Sequence, residues 1–119
     1  MTDPPVDIDG FRAAMREDGI EEIVEPTLAV YVREAARLFS DLSGAVAAGD
    51  VETVRRTAHT LKSSSMNIRA TELAGLLERL ETAAGWEDTD RIEGLFGRVR
   101  DAYEAVVTYL AASAGEPEP

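Results

Sequence analysis

The sequence has no cysteine, a single histidine and a single lysine. Without cysteine the chain can form neither a disulfide nor a thiolate metal site, and we predict no metal site of another kind. No apolar stretch approaches the ~20 residues that span a bilayer, and the start, Met-Thr-Asp-Pro-Pro, lacks the features of a signal peptide. We therefore expect a cytoplasmic protein without a membrane partner.

Positive charge is also scarce, with 12 lysines and arginines against 23 acidic residues and a net charge of −11. Nucleic-acid-binding proteins normally display a basic face, so this balance argues against a nucleic-acid partner. A Gly-rich phosphate loop is missing too, so we expect no intrinsic kinase activity. The length of 119 residues suits one domain with a modest core.

Apolar residues recur at helical spacing throughout, and no segment alternates as a strand would. We predict an all-α fold, an antiparallel four-helix bundle with a short N-terminal extra helix. The predicted helices run from Ile8 to Glu17, from about Pro26 to before Gly49, from Asp50 to Met66 or Asn67, from Thr71 to Ala84 with Gly85 as the cap, and from Asp88 or Thr89 onwards. Residues 6–112 form the predicted bundle, between a frayed N-terminus, 1–5, and a disordered acidic tail, 113–119.

Each predicted bundle helix carries an apolar stripe that we expect to face the core. On the first of these helices the stripe consists of Leu28, Val32, Ala35, Phe39, Leu42 and Val46. On the second it consists of Val51, Val54, Ala58, Leu61 and Ile68. The last two helices contribute Leu73, Leu76, Leu77, Leu80, Ile92, Leu95, Phe96, Val99, Tyr103, Val106 and Leu110.

The only histidine, His59, lies one helical turn before the only lysine, Lys62. Arg55 and Arg56 precede His59 by one turn, and the small Ser63 follows it by one turn. The apolar stripe of this helix is centred more than about 90° away, so the imidazole is predicted to be exposed among cationic groups. Such surroundings disfavour a protonated imidazole and favour an added negative charge, for which phosphate is the obvious candidate.

These residues belong to a longer pattern that closely resembles the signature of histidine-containing phosphotransfer (HPt) domains. The matching residues are His-Thr-Leu-Lys-Ser-Ser-Ser-Met-Asn-Ile at 59–68, the lead-in Ala-Ala-Gly-Asp-Val-Glu at 47–52, and Ala70, Leu73, Leu77, Leu80 and Glu81. The resemblance covers about residues 6–112. It implies a phosphorelay intermediate of two-component signalling, which accepts a phosphoryl group on His59 from a receiver-domain aspartate and passes it to another receiver.

The resemblance also implies roles for the neighbours of His59. Lys62 would lie beside the phosphoryl oxygens, Ser63 would stay small so that a receiver can approach, and Glu81 would orient the histidine. A carboxylate that accepts from Nδ1–H would fix the tautomer and leave the Nε2 lone pair as the nucleophile. The implied partners are response-regulator receiver domains and a hybrid histidine kinase. We expect a monomeric carrier rather than an enzyme, with no cofactor of its own and Mg²⁺ on the receiver.

Two positions depart from the family pattern, because many members carry glycine where this chain has Ser63 and Arg69. Serine is still small, whereas Arg69 stands at a turn that glycine would serve, so the backbone there can differ. Met66, two turns after His59, is predicted to contact a docking partner, and Phe11, Met15 or Ile20 could join it. Equally, the first helix could simply cap the end of the bundle.

Two other functions are compatible with some of these residues. An enzyme would need His59 as a base and one of Ser63 to Ser65 as a nucleophile, but one straight helix supplies no pocket or oxyanion hole. A non-phosphorylated helical adaptor of the same fold is the main alternative. Arg55 and Arg56 are as compatible with ordinary pairing to acidic neighbours as with a phosphate site.

Overall fold

The structure, a computed structural model, describes residues 3–114, and every regular element within that range is helical. The short helix α1 spans Ile8–Glu17, and a single 3-10 turn, Glu21–Ile23, follows it. The four long helices are α2, Val24–Ala48; α3, Val51–Asn67; α4, Thr71–Gly85; and α5, Thr89–Ala114. The predicted all-α fold is therefore confirmed. Two parts of the predicted ends lie outside the described residues: residues 1–2 of the frayed N-terminus and residues 115–119 of the tail.

The four long helices form a closed ring of neighbours. Each helix packs against the next along the chain, and α5 returns to contact α2. The connections Gly49–Asp50, Ile68–Ala70 and Trp86–Asp88 are short, so successive helices run antiparallel. Helix α1 and the 3-10 turn pack against α2. No helix in the described range is long and apolar enough to cross a membrane.

Aspartate side chains cap the starts of α1 and α3. The Asp7 side chain accepts a hydrogen bond of 2.9 Å from the Gly10 amide at the start of α1. Asp50 caps the start of α3. Its side chain accepts a hydrogen bond of 3.2 Å from the Thr53 amide and one of 2.6 Å from the Thr53 hydroxyl. These bonds satisfy amides that a helix leaves unpaired in its first turn.

Four helices end in the same way, with a left-handed residue after the last turn. The following amide then bonds a carbonyl five residues earlier, at 2.8 Å for Ile20 to Met15, 2.9 Å for Asp50 to Ala45, 2.8 Å for Ala70 to Ser65 and 3.1 Å for Asp88 to Ala83. The left-handed residues are Gly19, Gly49, Arg69 and Glu87. Gly85, predicted as the cap of α4, is instead the last residue of that helix, and Trp86 follows it with its side chain 80% exposed.

Arg69 thus takes the conformation that glycine would take, with φ of 66°. The turn is therefore left-handed at this position, and the arginine bears the strain of a side chain at positive φ. Its carbonyl accepts a hydrogen bond of 3.2 Å from the Asp7 amide, and its guanidinium lies 3.7 Å from the Asp7 carboxylate. These contacts hold the segment before α1 against the α3–α4 turn.

The core contains most of the predicted stripes, but the stripe of α2 was partly wrong. Leu28, Ala35 and Leu42 are buried as expected, whereas Val32 is exposed. Phe39 and Val46 are only partly buried, and the row that the prediction omitted is buried instead: Tyr31, Leu38 and Ala45. Tyr31 belongs to this row and bonds with a side chain of α3, so this side of α2 faces α3.

A buried polar contact joins α2 to α3. The Tyr31 hydroxyl and Ser65 Oγ are 2.9 Å apart, and Ser65 is fully buried. Burial raises the pKa of Tyr31 to about 12, although the bond with Ser65 opposes that rise. The bond pairs two hydroxyls that would otherwise be costly to bury, and it fixes α3 on α2 one turn beyond Lys62.

Candidate functional site

The imidazole of His59 projects from α3 into solvent, with 59% of its side chain exposed. The same helix buries Val54, Ala58 and Leu61 in the core, so helical spacing directs His59 outward. This placement agrees with the expectation from the apolar stripe. A partner can therefore reach the ring without any change in the bundle.

Glu81 approaches the histidine from α4. Its Oε2 lies 2.9 Å from His59 Nδ1, and its side chain is 22% exposed. An ionised carboxylate only accepts hydrogen bonds, so Nδ1 carries the proton. The Nε2 atom of the neutral ring then keeps its lone pair, which is the form of imidazole that acts as a nucleophile.

Lys62 binds the other oxygen of the same carboxylate. Its Nζ donates to Glu81 Oε1 over 2.9 Å, and its side chain is only 17% exposed. The bond with Glu81 raises the pKa of Lys62. Burial alone would raise the pKa of Glu81, but the hydrogen bonds from Lys62 and His59 outweigh burial and hold that pKa below its ordinary value. Glu81 is therefore a carboxylate shared by two donors.

The contact between Lys62 and Glu81 was not predicted from the sequence. The available signal was a pair of opposite charges on adjoining helices. Spacing within each helix places Lys62 beside His59, but it does not say which residues of α4 lie opposite. The register between α3 and α4 follows from how the two helices pack, and it cannot be read from the periodicity of either helix alone.

The two arginines before His59 do not close a cationic ring around it. Arg55 pairs with Glu52, its Nη2 lying 2.6 Å from Oε1, and this contact raises the pKa of Arg55. The Arg56 side chain is exposed, and its carbonyl accepts a hydrogen bond of 3.1 Å from the Thr60 hydroxyl. With Lys62 bound to Glu81, the charge near His59 is more nearly balanced than the sequence suggested.

The surface beside His59 is small and partly apolar. Ser63 is exposed, and its hydroxyl donates to the His59 carbonyl over 3.2 Å. Met66, two turns after His59, is 60% exposed, and Ile20, directly before the 3-10 turn, is exposed as well. Phe11 is buried and Met15 is half-buried. These two residues, which could have joined a docking surface, therefore belong mainly to the core.

An open groove lies along the C-terminal part of α3, between α3 and the segment formed by the 3-10 turn and α2. Its volume is about 550 Å³, and its lining includes Ile23, Val30, Tyr31, Ser64 and Ile68. Ile23 and Val30 are exposed, so apolar surface continues from the groove to solvent. Exposed apolar surface of this kind is typical of protein contact sites.

Comparison with known proteins identifies the class of protein that this fold and site represent. The family model of the Hpt domain matches residues 27–109, and the chain belongs to this family, whose members are phosphocarriers in phosphorelays. A crystal structure of histidine-containing phosphotransfer protein B (HptB) from Pseudomonas aeruginosa PAO1 is similar. It matches with a TM-score of 0.85 and 26% sequence identity, over 98% of this chain and 100% of that chain. No curated protein matches the sequence. Proteins of the family work with receiver domains and histidine kinases.

Proposed function

We propose that His59 is the phosphoryl acceptor of this chain, and that it takes the group from a receiver-domain aspartate and passes it to a second receiver. The observation that carries the proposal is the bond from Nδ1 to Glu81, which leaves Nε2 of an exposed ring available. Ser63, small and exposed, leaves room for a receiver on the side where transfer takes place.

The transfer is a simple displacement at phosphorus. The Nε2 lone pair attacks the phosphoryl group, a new N–P bond forms, and the P–O bond to the receiver aspartate breaks so that the aspartate leaves as a carboxylate. The imidazole gains positive character as the N–P bond forms. The ionised Glu81, bonded to Nδ1–H, stabilises that charge, and the reverse steps deliver the group to the next aspartate.

The receiver supplies what this chain lacks in the proposed reaction. It brings the aspartate and the Mg²⁺ that neutralises phosphoryl oxygens, while His59 brings a positioned nucleophile. A hybrid histidine kinase is the proposed source of the phosphoryl group. The apolar surface formed by Met66, Ile20 and the groove lined by Val30 is the proposed docking area. We propose a monomeric, cytoplasmic carrier without a cofactor of its own.

The test is transfer from a phosphorylated receiver to wild type and to His59→Gln. Wild type should gain acid-labile phosphate, and His59→Gln should gain none. Because His59 is exposed, its replacement should change the free energy of unfolding by less than about 0.5 kcal/mol. Thr108→Gln, an exposed change on α5, is the matched control and should be labelled like wild type. Labelled His59→Gln would disprove the proposal, and wild type unlabelled by every receiver of its source organism would favour a non-phosphorylated adaptor.

A further inference from the structure

Lys62 and His59 depend on one acceptor. The lysine ammonium donates to one oxygen of Glu81 and His59 Nδ1 to the other, each over 2.9 Å. The resemblance had implied that Lys62 lies against phosphoryl oxygens. In the unphosphorylated protein, however, the ammonium of this mostly buried side chain is bound to the carboxylate that orients the histidine.

We infer that Lys62 is a positioning residue, whose ammonium holds the Glu81 carboxylate so that Glu81 holds His59 in the Nδ1–H tautomer. The inference rests on the proposed role of His59 and adds to it the path by which Lys62 acts. Lys62 then matters before any phosphoryl group arrives. A lysine that only contacts phosphate would leave the resting histidine unaffected.

A carboxylate held at both oxygens differs from one held at a single oxygen. With one donor, the group can still rotate about its last bond, and ordering such a side chain has an entropic cost. With a donor on each oxygen, the plane of the carboxylate is fixed, and Oε2 stays directed at Nδ1. The bond from Lys62 also lowers the pKa of Glu81 more than the bond from His59 does, so Lys62 is the stronger of the two supports that offset burial.

Arg55 provides a matched control for charge. It carries the same charge as Lys62 and lies one turn from His59 on the opposite side along α3. Its guanidinium is bonded to Glu52 and reaches Glu81 only through its field. Lys62→Met and Arg55→Met therefore remove equal charge, but only the first removes a bond to Glu81.

The first measurement is the ¹⁵N NMR spectrum of the imidazole in the free protein, recorded with the ring neutral. His59 is the only histidine, so its two nitrogen signals need no assignment among others. Wild type should be mainly Nδ1–H. Lys62→Met should lower the ratio of Nδ1–H to Nε2–H about two- to tenfold, the change expected when a hydrogen bond of average strength is lost. Arg55→Met should change the ratio less than about twofold. An unchanged ratio in Lys62→Met, or equal changes in both variants, would overturn the inference.

The second measurement is the rate at which phosphoramidate phosphorylates His59, with no receiver present. In this reaction ammonia leaves as the N–P bond to Nε2 forms. If Lys62 acts through Glu81, adding Lys62→Met to the wild-type protein should lower the phosphorylation rate about two- to tenfold. Adding it to Glu81→Ala should leave the rate of that variant unchanged within about twofold. If Lys62 instead touches the phosphoryl group, its loss should slow both backgrounds equally, which would overturn the inference. Failure of wild type to accept from receivers would sink the proposed function, whereas the tautomer measurement would still stand.

Discussion

At the scale of single residues, we propose that Ser63 controls access to the site by its size, without taking part in the chemistry. Its hydroxyl donates to the His59 backbone carbonyl one turn earlier, and it bonds no side chain of the site. The position is exposed and one turn after His59. We therefore propose that what matters there is the volume that the side chain occupies in the path of a receiver.

We expect Ser63→Ala to transfer like wild type, and Ser63→Arg or Ser63→Gln to transfer at least about ten-fold more slowly, equivalent to about 1.4 kcal/mol of lost docking. Because the position is exposed, the free energy of unfolding should change by less than about 0.5 kcal/mol. Single-turnover transfer from a phospho-receiver measures the rates, and urea unfolding measures the stability. Normal rates for both bulky variants would mean that receivers do not approach over this face.

The α3–α4 turn is the feature of most interest among the elements, because it aligns the helix of His59 with the helix of Glu81. The left-handed residue of this turn is Arg69, where the bond from Ala70 to Ser65 closes α3 and a bond from Asp7 ties down the N-terminal segment. Backbone strain at Arg69 and its ion pair with Asp7 act in opposite directions on stability.

Replacing Arg69 can separate those two contributions. Arg69→Ala loses the exposed ion pair but keeps the strained Cβ, so the free energy of unfolding should fall by up to about 1 kcal/mol. Arg69→Gly relieves about 1–2 kcal/mol of strain and offsets that loss, giving a stability equal to wild type or up to about 2 kcal/mol higher. Denaturant unfolding of the three proteins tests the order. A glycine variant less stable than the alanine variant would show that φ at this turn is not strained.

Much of the fold could be predicted because its signals are local. Asp7 and Asp50 mark helix starts and Gly19 and Gly49 mark helix ends, and each does so through bonds to residues close in sequence. Glu87 carries no such signal, since nothing about a glutamate announces a positive φ. The end of α4 was therefore placed at the nearest glycine.

The remaining features depend on packing between helices. Periodicity defined an apolar side of α2, but only the position of α3 decides that Tyr31 is buried and Val32 exposed. In the site, spacing brought Lys62 next to His59, and the family resemblance brought in Glu81. That one carboxylate serves both donors depends on the register between α3 and α4, which a single sequence does not contain.

For the molecule as a whole, the Tyr31–Ser65 bond couples the site helix to the bundle, and the burial of Tyr31 gives unfolding a distinctive pH dependence. Tyr31 titrates near 12 in the folded state and near 10 when unfolded. The folded protein therefore holds the phenol proton more tightly. Its contribution to stability is fully present below about pH 10 and is lost as the pH rises towards 12.

We expect the free energy of unfolding to fall by about 1.4 kcal/mol per pH unit in that interval, about 2.7 kcal/mol in all, from Tyr31. Tyr31→Phe should remove this contribution, and at neutral pH it should be about 1–3 kcal/mol less stable because buried Ser65 loses its partner. Urea unfolding from pH 8 to 12 tests both. Lys62 and Tyr103, whose pKa values are also raised, titrate in both proteins, so the difference between the two curves isolates Tyr31. Parallel curves would contradict the expectation.

The exposure of Trp86, just beyond the end of α4, has an optical consequence. It is the only tryptophan and already stands largely in water, so its fluorescence emission should lie near that of the unfolded chain and respond weakly to denaturation. The same property makes it a contact sensor, because a partner that covers this end of the bundle must shift the emission towards the blue. Trp86 is thus an intrinsic fluorophore whose emission responds weakly to unfolding but reports on contacts at the end of α4.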